Sequence, residues 1–154
     1  MPSKRKEVSH RDFLAQGVRV TIGGLATSER YDSPEAAKLR TAIENTKPYI
    51  KLRRDIGSSG VRVFPNSFHD SVPREKTIEQ IGNSLNIPGA FAADYGRQVR
   101  PEAHGNAGEL PTISAIMDRV DQPSVRVKLN SDKRDIGEDG YCCRGVHLLK
   151  TGVL

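Results

Sequence analysis

The stretch GVRV at residues 60–63 decides how the chain is read, because it recurs. A second GVRV stands at 17–20, QVRP at 98–101, SVRV at 124–127 and a looser GVHL at 145–148. Alternation of β-branched and polar residues has the period of a strand, with the valines on one face. The first three intervals between copies each leave room for a loop, a helix and a return, so the repeat unit is larger than the strand itself.

The intervening segments carry helical periodicity. After DSPE, where Ser33 is placed to cap and Pro34 suits a first turn, Leu39, Ile43, Thr46 and Ile50 step by four, three and four. After SVPREKT, Ile78, Ile81 and Leu85 fall on one face, with Ala92 further along it. Leu110, Ile113, Met117 and Val120 do the same in a third segment. DIGSSG and DYG read as helix ends before the second and third strands, and DQPS as the turn before the fourth. Pro48 lies inside the first helix, and IPG at 87–89 interrupts the second, which Gly82 already weakens. Pro101 removes one ladder hydrogen bond from the third strand.

Strands alternating with helices imply parallel strands joined by crossovers. An open doubly wound sheet and an eight-stranded β/α barrel both fit. No G-x-G-x-x-G follows any strand, and GGLATSER lacks the lysine of a phosphate-binding loop, so the barrel is favoured.

Bulk properties narrow the class of function. A chain of 154 residues is one domain by length. No apolar run is long enough to cross a bilayer, and MPSKRKEVSHR lacks the apolar core of a signal peptide, so a cytoplasmic protein is expected. Cys142 and Cys143 are adjacent, which suits neither a disulfide nor a zinc site. The net charge of +5 permits an anionic partner. With four Tyr, four Phe, no Trp and no nucleic-acid motif, a nucleic-acid partner is not expected.

Functional groups in parallel β/α folds gather at the carboxyl ends of strands. Those ends carry FPNSFHD after the second strand, Glu102 and His104 after the third, Asn130 and Asp132 after the fourth, and His147 on the fifth. Side chains alternate, so Arg100, Glu102 and His104 share a face, as do Arg126, Lys128 and Asn130. Glu102, Asn130 and His147, if they converge, form an oxygen-and-nitrogen set for a divalent ion such as Mn²⁺, Mg²⁺ or Zn²⁺. Arg126 and Lys128 would repel that ion unless they serve a phosphate or carboxylate on the substrate. Asn66 and His69 are placed to touch a substrate hydroxyl, with loop capping the competing reading, and His104 is placed to hydrogen-bond a substrate oxygen or to orient Glu102. Thr27 to Arg30, TSER, reads as a loop over the mouth.

The segments GLATSERYDSPE, GVRVFPN, EAHGNAGELPTISAIMDRVDQPSVRVKLNS and GVHLLKTG resemble the xylose isomerase-like barrel family of sugar-phosphate isomerases and epimerases. The resemblance implies an α/β chain, a partial (β/α)8 TIM-type barrel with about five parallel strands, over 13–154 after a basic segment at 1–12. It implies a metal site with Glu102, Asn130 and His147 as ligands, Glu102 also being catalytic, and Asn66 and His104 near the substrate. The reaction implied moves a proton alpha to the carbonyl of a sugar or sugar phosphate through an enediolate. The family's last-strand Glu has no counterpart, which leaves a truncated, non-catalytic remnant or binding module as the alternative. Open sheet edges would then favour self-association.

Overall fold

The structure, a computed structural model, describes residues 22–129, 136–137 and 140–141. Its main sheet contains β1 (Leu25–Arg30), β2 (Gly60–Phe64) and β3 (Gln98–Pro101), all parallel and in the order β1-β2-β3. Helices α1 (Ala36–Asp55), α2 (Arg74–Asp94) and α3 (Leu110–Met117) follow the three strands in turn. Residues 124–128 run parallel beside β3, with Val99 opposite Val125 and Glu102 opposite Lys128. A separate antiparallel pair, β4 (Ile136–Gly137) and β5 (Gly140–Tyr141), completes the described elements.

The Val-x-Val alternation sorts the two faces of this sheet. Val61, Val63, Val99, Val125 and Val127 are buried in one cluster with Ile43 and Ile50 of α1, Ile81 and Leu85 of α2, and Ile113 and Ile116 of α3. Arg62, Arg100 and Arg126, one residue out of phase, are half-buried. Each fully buried aliphatic side chain stabilises the fold by about 1.5–3 kcal/mol, so the register of the repeat is fixed by its valines.

Both predicted helix ends are present, for the reason glycine is used there. Gly57 and Gly96 have φ of 72° and 59°. Around the first, Ser58 N–H donates to Arg53 O and Gly57 N–H to Arg54 O; around the second, Arg97 N–H donates to Ala92 O and Gly96 N–H to Ala93 O. This paired closure needs a left-handed residue just past the helix.

Several expectations are corrected. TSER is not a loop: Thr27 to Arg30 belong to β1, where Thr27 is buried and its hydroxyl donates to Arg62 O at 2.8 Å. The strand is polar because, among the described residues, it is the sheet edge. The GVRV copy at 17–20 and GVHL at 145–148 lie outside the described residues. Ser33 does not cap α1; Glu35 holds that position, and Ser33 Oγ accepts from Glu35 N–H at 3.3 Å. Neither proline ends its helix, since 20- and 21-residue helices absorb one missing hydrogen bond each.

Gly82 and Gly89 do more than weaken α2. A Cβ on Gly82 would lie 2.6 Å from Ile116 O, and one on Gly89 would lie 2.6 Å from Val125 Cγ2. Seven residues apart on one helix face, they let α3 and the 124–128 segment approach the α2 backbone. In α3 the buried side chains are Thr112, Ile113 and Ile116, with Leu110 and Met117, and Val120 beyond the helix end, at the margin of the core.

Pro101 costs what the sequence predicts and no more. Val99 N–H donates to Ser124 O, Arg126 N–H to Val99 O, Lys128 N–H to Pro101 O and Ala103 N–H to Lys128 O. In that alternation the bond omitted is one from residue 101 toward Arg126, which leaves the fourth segment joined by two separate bridges. Among the described residues no helix is long and apolar enough to cross a membrane.

Candidate functional site

The carboxyl ends of β1, β2 and β3 and the end of the 124–128 segment bring charged groups together at one end of the sheet. Glu102, the residue after β3, is 3% exposed. It sits directly across the ladder from Lys128, whose ammonium donates to Oε1 at 2.6 Å. From the other side Arg62 of β2 donates through Nη1 to Oε2 at 2.8 Å. Both carboxylate oxygens thus hold a cation. Arg62 is itself fixed, donating through Nη2 to Thr27 O at 3.0 Å and stacking its guanidinium 4.2 Å from the Phe64 ring centre.

Burial alone would push the Glu102 carboxyl up. The hydrogen bond and charge of Lys128 and the charge of Arg62 outweigh it and hold the carboxyl below the usual range. Glu102 is therefore an ionised, ion-paired carboxylate. Nearby, the exposed His104 packs its ring on Phe64, with centroids 5.1 Å apart.

A second cluster lies at the tips of β1 and β2. Asp32, 5% exposed, accepts through Oδ2 from Asn66 Nδ2 at 3.1 Å and from Ser67 N–H at 3.2 Å, with His69 Nε2 at 3.2 Å. Asn66 occupies the left-handed region at φ 73°, a conformation few non-glycine residues take and one that Asn tolerates well. Its carbonyl accepts from Ala107 N–H at 3.2 Å, and Phe68 N–H donates to Asn106 Oδ1 at 2.9 Å. Gly105, at φ 72°, passes so close to Asn66 O that a side chain there would collide with it. The loops after β2 and β3 are thereby locked to each other. Beside Asp32 and His69 opens a cleft of about 420 Å³, lined also by Glu29, Arg30 and Lys38.

Of the residues singled out from the sequence, Glu102 stands at the strand tip as expected, and Asn66 and His104 lie on the same end of the sheet. Asn66 directs its amide to Asp32, the capping role that was the competing reading. Asn130 and His147 lie outside the described residues. Two site groups escaped the sequence reading. Arg62 was hidden as the polar residue of a strand repeat, although its pairing next to Arg100 on β3 put it within reach of residue 102. Asp32 was hidden in YDSPE, read as a helix start.

A divalent ion does not fit the described arrangement. Both Glu102 oxygens already face cationic side chains, and among the described residues no group of three His, Cys, Asp or Glu could hold a metal.

No protein-family model and no curated protein matches the sequence. Solved structures do match. D-psicose 3-epimerase with D-tagatose, from Clostridium cellulolyticum H10, is 15% identical with a TM-score of 0.67, over 93% of this chain and 53% of that one. The IOLI protein with a zinc atom bound is 14% identical with a TM-score of 0.62, over 75% of this chain and 43% of that one. A xylose isomerase-like TIM barrel protein from Mycobacterium smegmatis in complex with magnesium is 14% identical with a TM-score of 0.54, over 77% and 43%. The chain spans about half or less of the length of these structures, and at such identities the likeness is one of fold. The parallel β1-β2-β3 order, the helix layer on its valine face and these neighbours together establish that the chain has the α/β fold of part of a xylose isomerase-like TIM barrel.

Proposed function

We propose that the strand-tip end of the sheet is a carbohydrate site of the isomerase and epimerase class, taking a sugar phosphate or another anionic sugar derivative. The observation that carries this reading is the pairing of Glu102 with both Lys128 and Arg62 at the carboxyl end of a parallel sheet. One carboxylate against two cations leaves an excess of positive charge. That excess suits a phosphate or carboxylate on the ligand. Asn66, held in the left-handed region, and His104, tilted against the Phe64 ring, complete a polar and aromatic rim for hydroxyl groups.

In the proposed reaction Glu102 accepts the proton from the carbon alpha to the sugar carbonyl. The C–H electron pair becomes the C=C bond of an enediolate, and negative charge builds on the former carbonyl oxygen. Lys128 and Arg62 are the donors available to that oxygen once the ligand competes with Glu102 for them. Return of the proton to the neighbouring carbon, with the hydroxyl proton passing from one enediolate oxygen to the other, gives isomerisation; epimerisation leaves the abstracted proton on Glu102 and takes one from solvent water on the opposite face. Support from the solved neighbours is limited to fold and to what their names record, an epimerase with its sugar among them.

The test is proton exchange in D₂O. Ketose phosphates are incubated with the chain, and loss of the proton alpha to the carbonyl is followed by ¹H NMR. Exchange that Glu102→Gln abolishes is expected. A second reading, a binding module of the same fold without proton transfer, is favoured by the depressed pKa of Glu102, which makes it a weak base. Ligand binding without exchange in the same samples selects that reading.

A further inference from the structure

We infer that in this chain the Lys128 ammonium and the Arg62 guanidinium hold the place at Glu102 that a divalent ion would take, so that the strand-tip site binds its ligand without metal. The ligand half of this inference rests on the reading above; the metal half stands on geometry alone.

Lys128 is brought to Glu102 by the backbone. The two residues face each other across the parallel ladder, fixed by Lys128 N–H to Pro101 O at 2.9 Å and Ala103 N–H to Lys128 O at 3.0 Å. Any side chain at 128 therefore starts beside the carboxylate, and a lysine reaches it with Nζ at 2.6 Å from Oε1. Arg62 takes the other oxygen and has little freedom to leave, being bonded to Thr27 O and stacked on Phe64. Thr27 in turn donates to Arg62 O at 2.8 Å, which closes the clamp between β1 and β2.

A carboxylate gives a divalent ion its lone pairs and its charge. Here the lone pairs already accept from two N–H donors and the charge is already exceeded by two cations. An ion approaching either oxygen meets like charge at contact distance from Lys128 or Arg62. The charge a metal would supply, holding the carboxylate ionised and facing an anionic ligand, comes from the side chains instead. Lys128, whose side chain is 45% exposed, is the more solvent-accessible member of the pair, whereas Arg62 is 24% exposed. Lys128 is thus the group whose removal opens the oxygen.

The experiment is calorimetric titration of Mn²⁺ into the full chain in five forms: unaltered, Glu102→Gln, Lys128→Arg, Lys128→Met, and Lys128→Met with Glu102→Gln. Circular dichroism establishes that each is folded, and Lys128→Gln replaces Lys128→Met if that variant is not. The unaltered chain and Lys128→Arg are expected to show no saturable binding. Lys128→Met gains at least about tenfold in Mn²⁺ affinity, and the added Glu102→Gln removes the gain. Saturable Mn²⁺ binding by the unaltered chain that Glu102→Gln abolishes overturns the inference. So does a folded Lys128→Met chain that gains nothing. A ketose phosphate is titrated separately into the unaltered chain in EDTA. Binding there supports a metal-free ligand site; its absence overturns the ligand half while leaving the result at Lys128 intact.

Discussion

Glu102 and Lys128 stand opposite each other on neighbouring parallel segments with carboxylate and ammonium 2.6 Å apart, and the pair is completed by Arg62 at 2.8 Å. Removing the carboxylate strands two cations. Loss of one partner from a fully buried pair costs about 3–5 kcal/mol, and solvent reaching Lys128 reduces this, so Glu102→Gln is expected to cost about 2 kcal/mol. Lys128→Gln, which leaves Glu102 its Arg62 bond, is expected to cost less than about 1 kcal/mol. Urea unfolding of the two variants measures the difference, and equal costs would show that Arg62 contributes nothing.

Gly82→Ala and Gly89→Ala are each expected to destabilise the fold by about 1–3 kcal/mol, although alanine is the better helix former by about 1 kcal/mol. The new methyl groups would press on Ile116 O and on Val125 Cγ2. Thermal unfolding of the single variants tests this, and a rise in melting temperature for either would show that the close approach is absent.

Asp32→Ala is expected to cost about 2 kcal/mol, because its buried carboxylate takes three contacts that hold the loop after β2. Amide hydrogen exchange at Ser67 is the local readout. It should quicken far more than exchange in α1, whereas uniform quickening would mean that Asp32 supports the whole fold and not this loop.

Arg53 predicts a gain. It is fully buried, bonded to Ser58 Oγ, and its Nε and Nη2 have no hydrogen-bond partner among the described residues. Burial, with the charge of Arg100 nearby, pushes its pKa down to about 10. Arg53→Met keeps the apolar stem and removes the stranded charge, so its stability is expected to be unchanged or raised by about 1 kcal/mol. A loss above about 2 kcal/mol in guanidinium unfolding would show that the guanidinium has a partner after all.

The parts of this fold legible in the sequence are those written in apolar period. Val61, Val63 and Val99 marked the strands, Ile43, Ile50, Ile81 and Leu85 the helix faces, and Gly57 and Gly96 the helix ends, because burial and positive φ restrict which residues serve. β1 was not legible: a strand at the edge of the sheet among the described residues, carrying Ser28, Glu29 and Arg30, has the composition of a loop. Pro48 and Pro88 misled because the cost of a proline is judged locally, while tertiary packing along 20 residues or more offsets it. At the site, Glu102 was legible from its position after a strand. Its partners were not, since pairing with Arg62 depends on strand order and register, which periodicity does not encode. Lys128 was read as an inward cation, but its contact with Glu102 emerged only from the ladder.

The most direct test of the account is the titration of the Glu102 side-chain carboxyl by ¹³C NMR, assigned by its loss in Glu102→Gln. Its folded pKa is depressed, so the unfolded chain binds the proton more readily, and the stability Glu102 contributes is present above about pH 4.3 and lost as the pH falls through the folded value. The account predicts a midpoint below the ordinary glutamate value of about 4.3, moving upward in Lys128→Gln. A midpoint at or above that value in the unaltered chain, indifferent to Lys128, would contradict it.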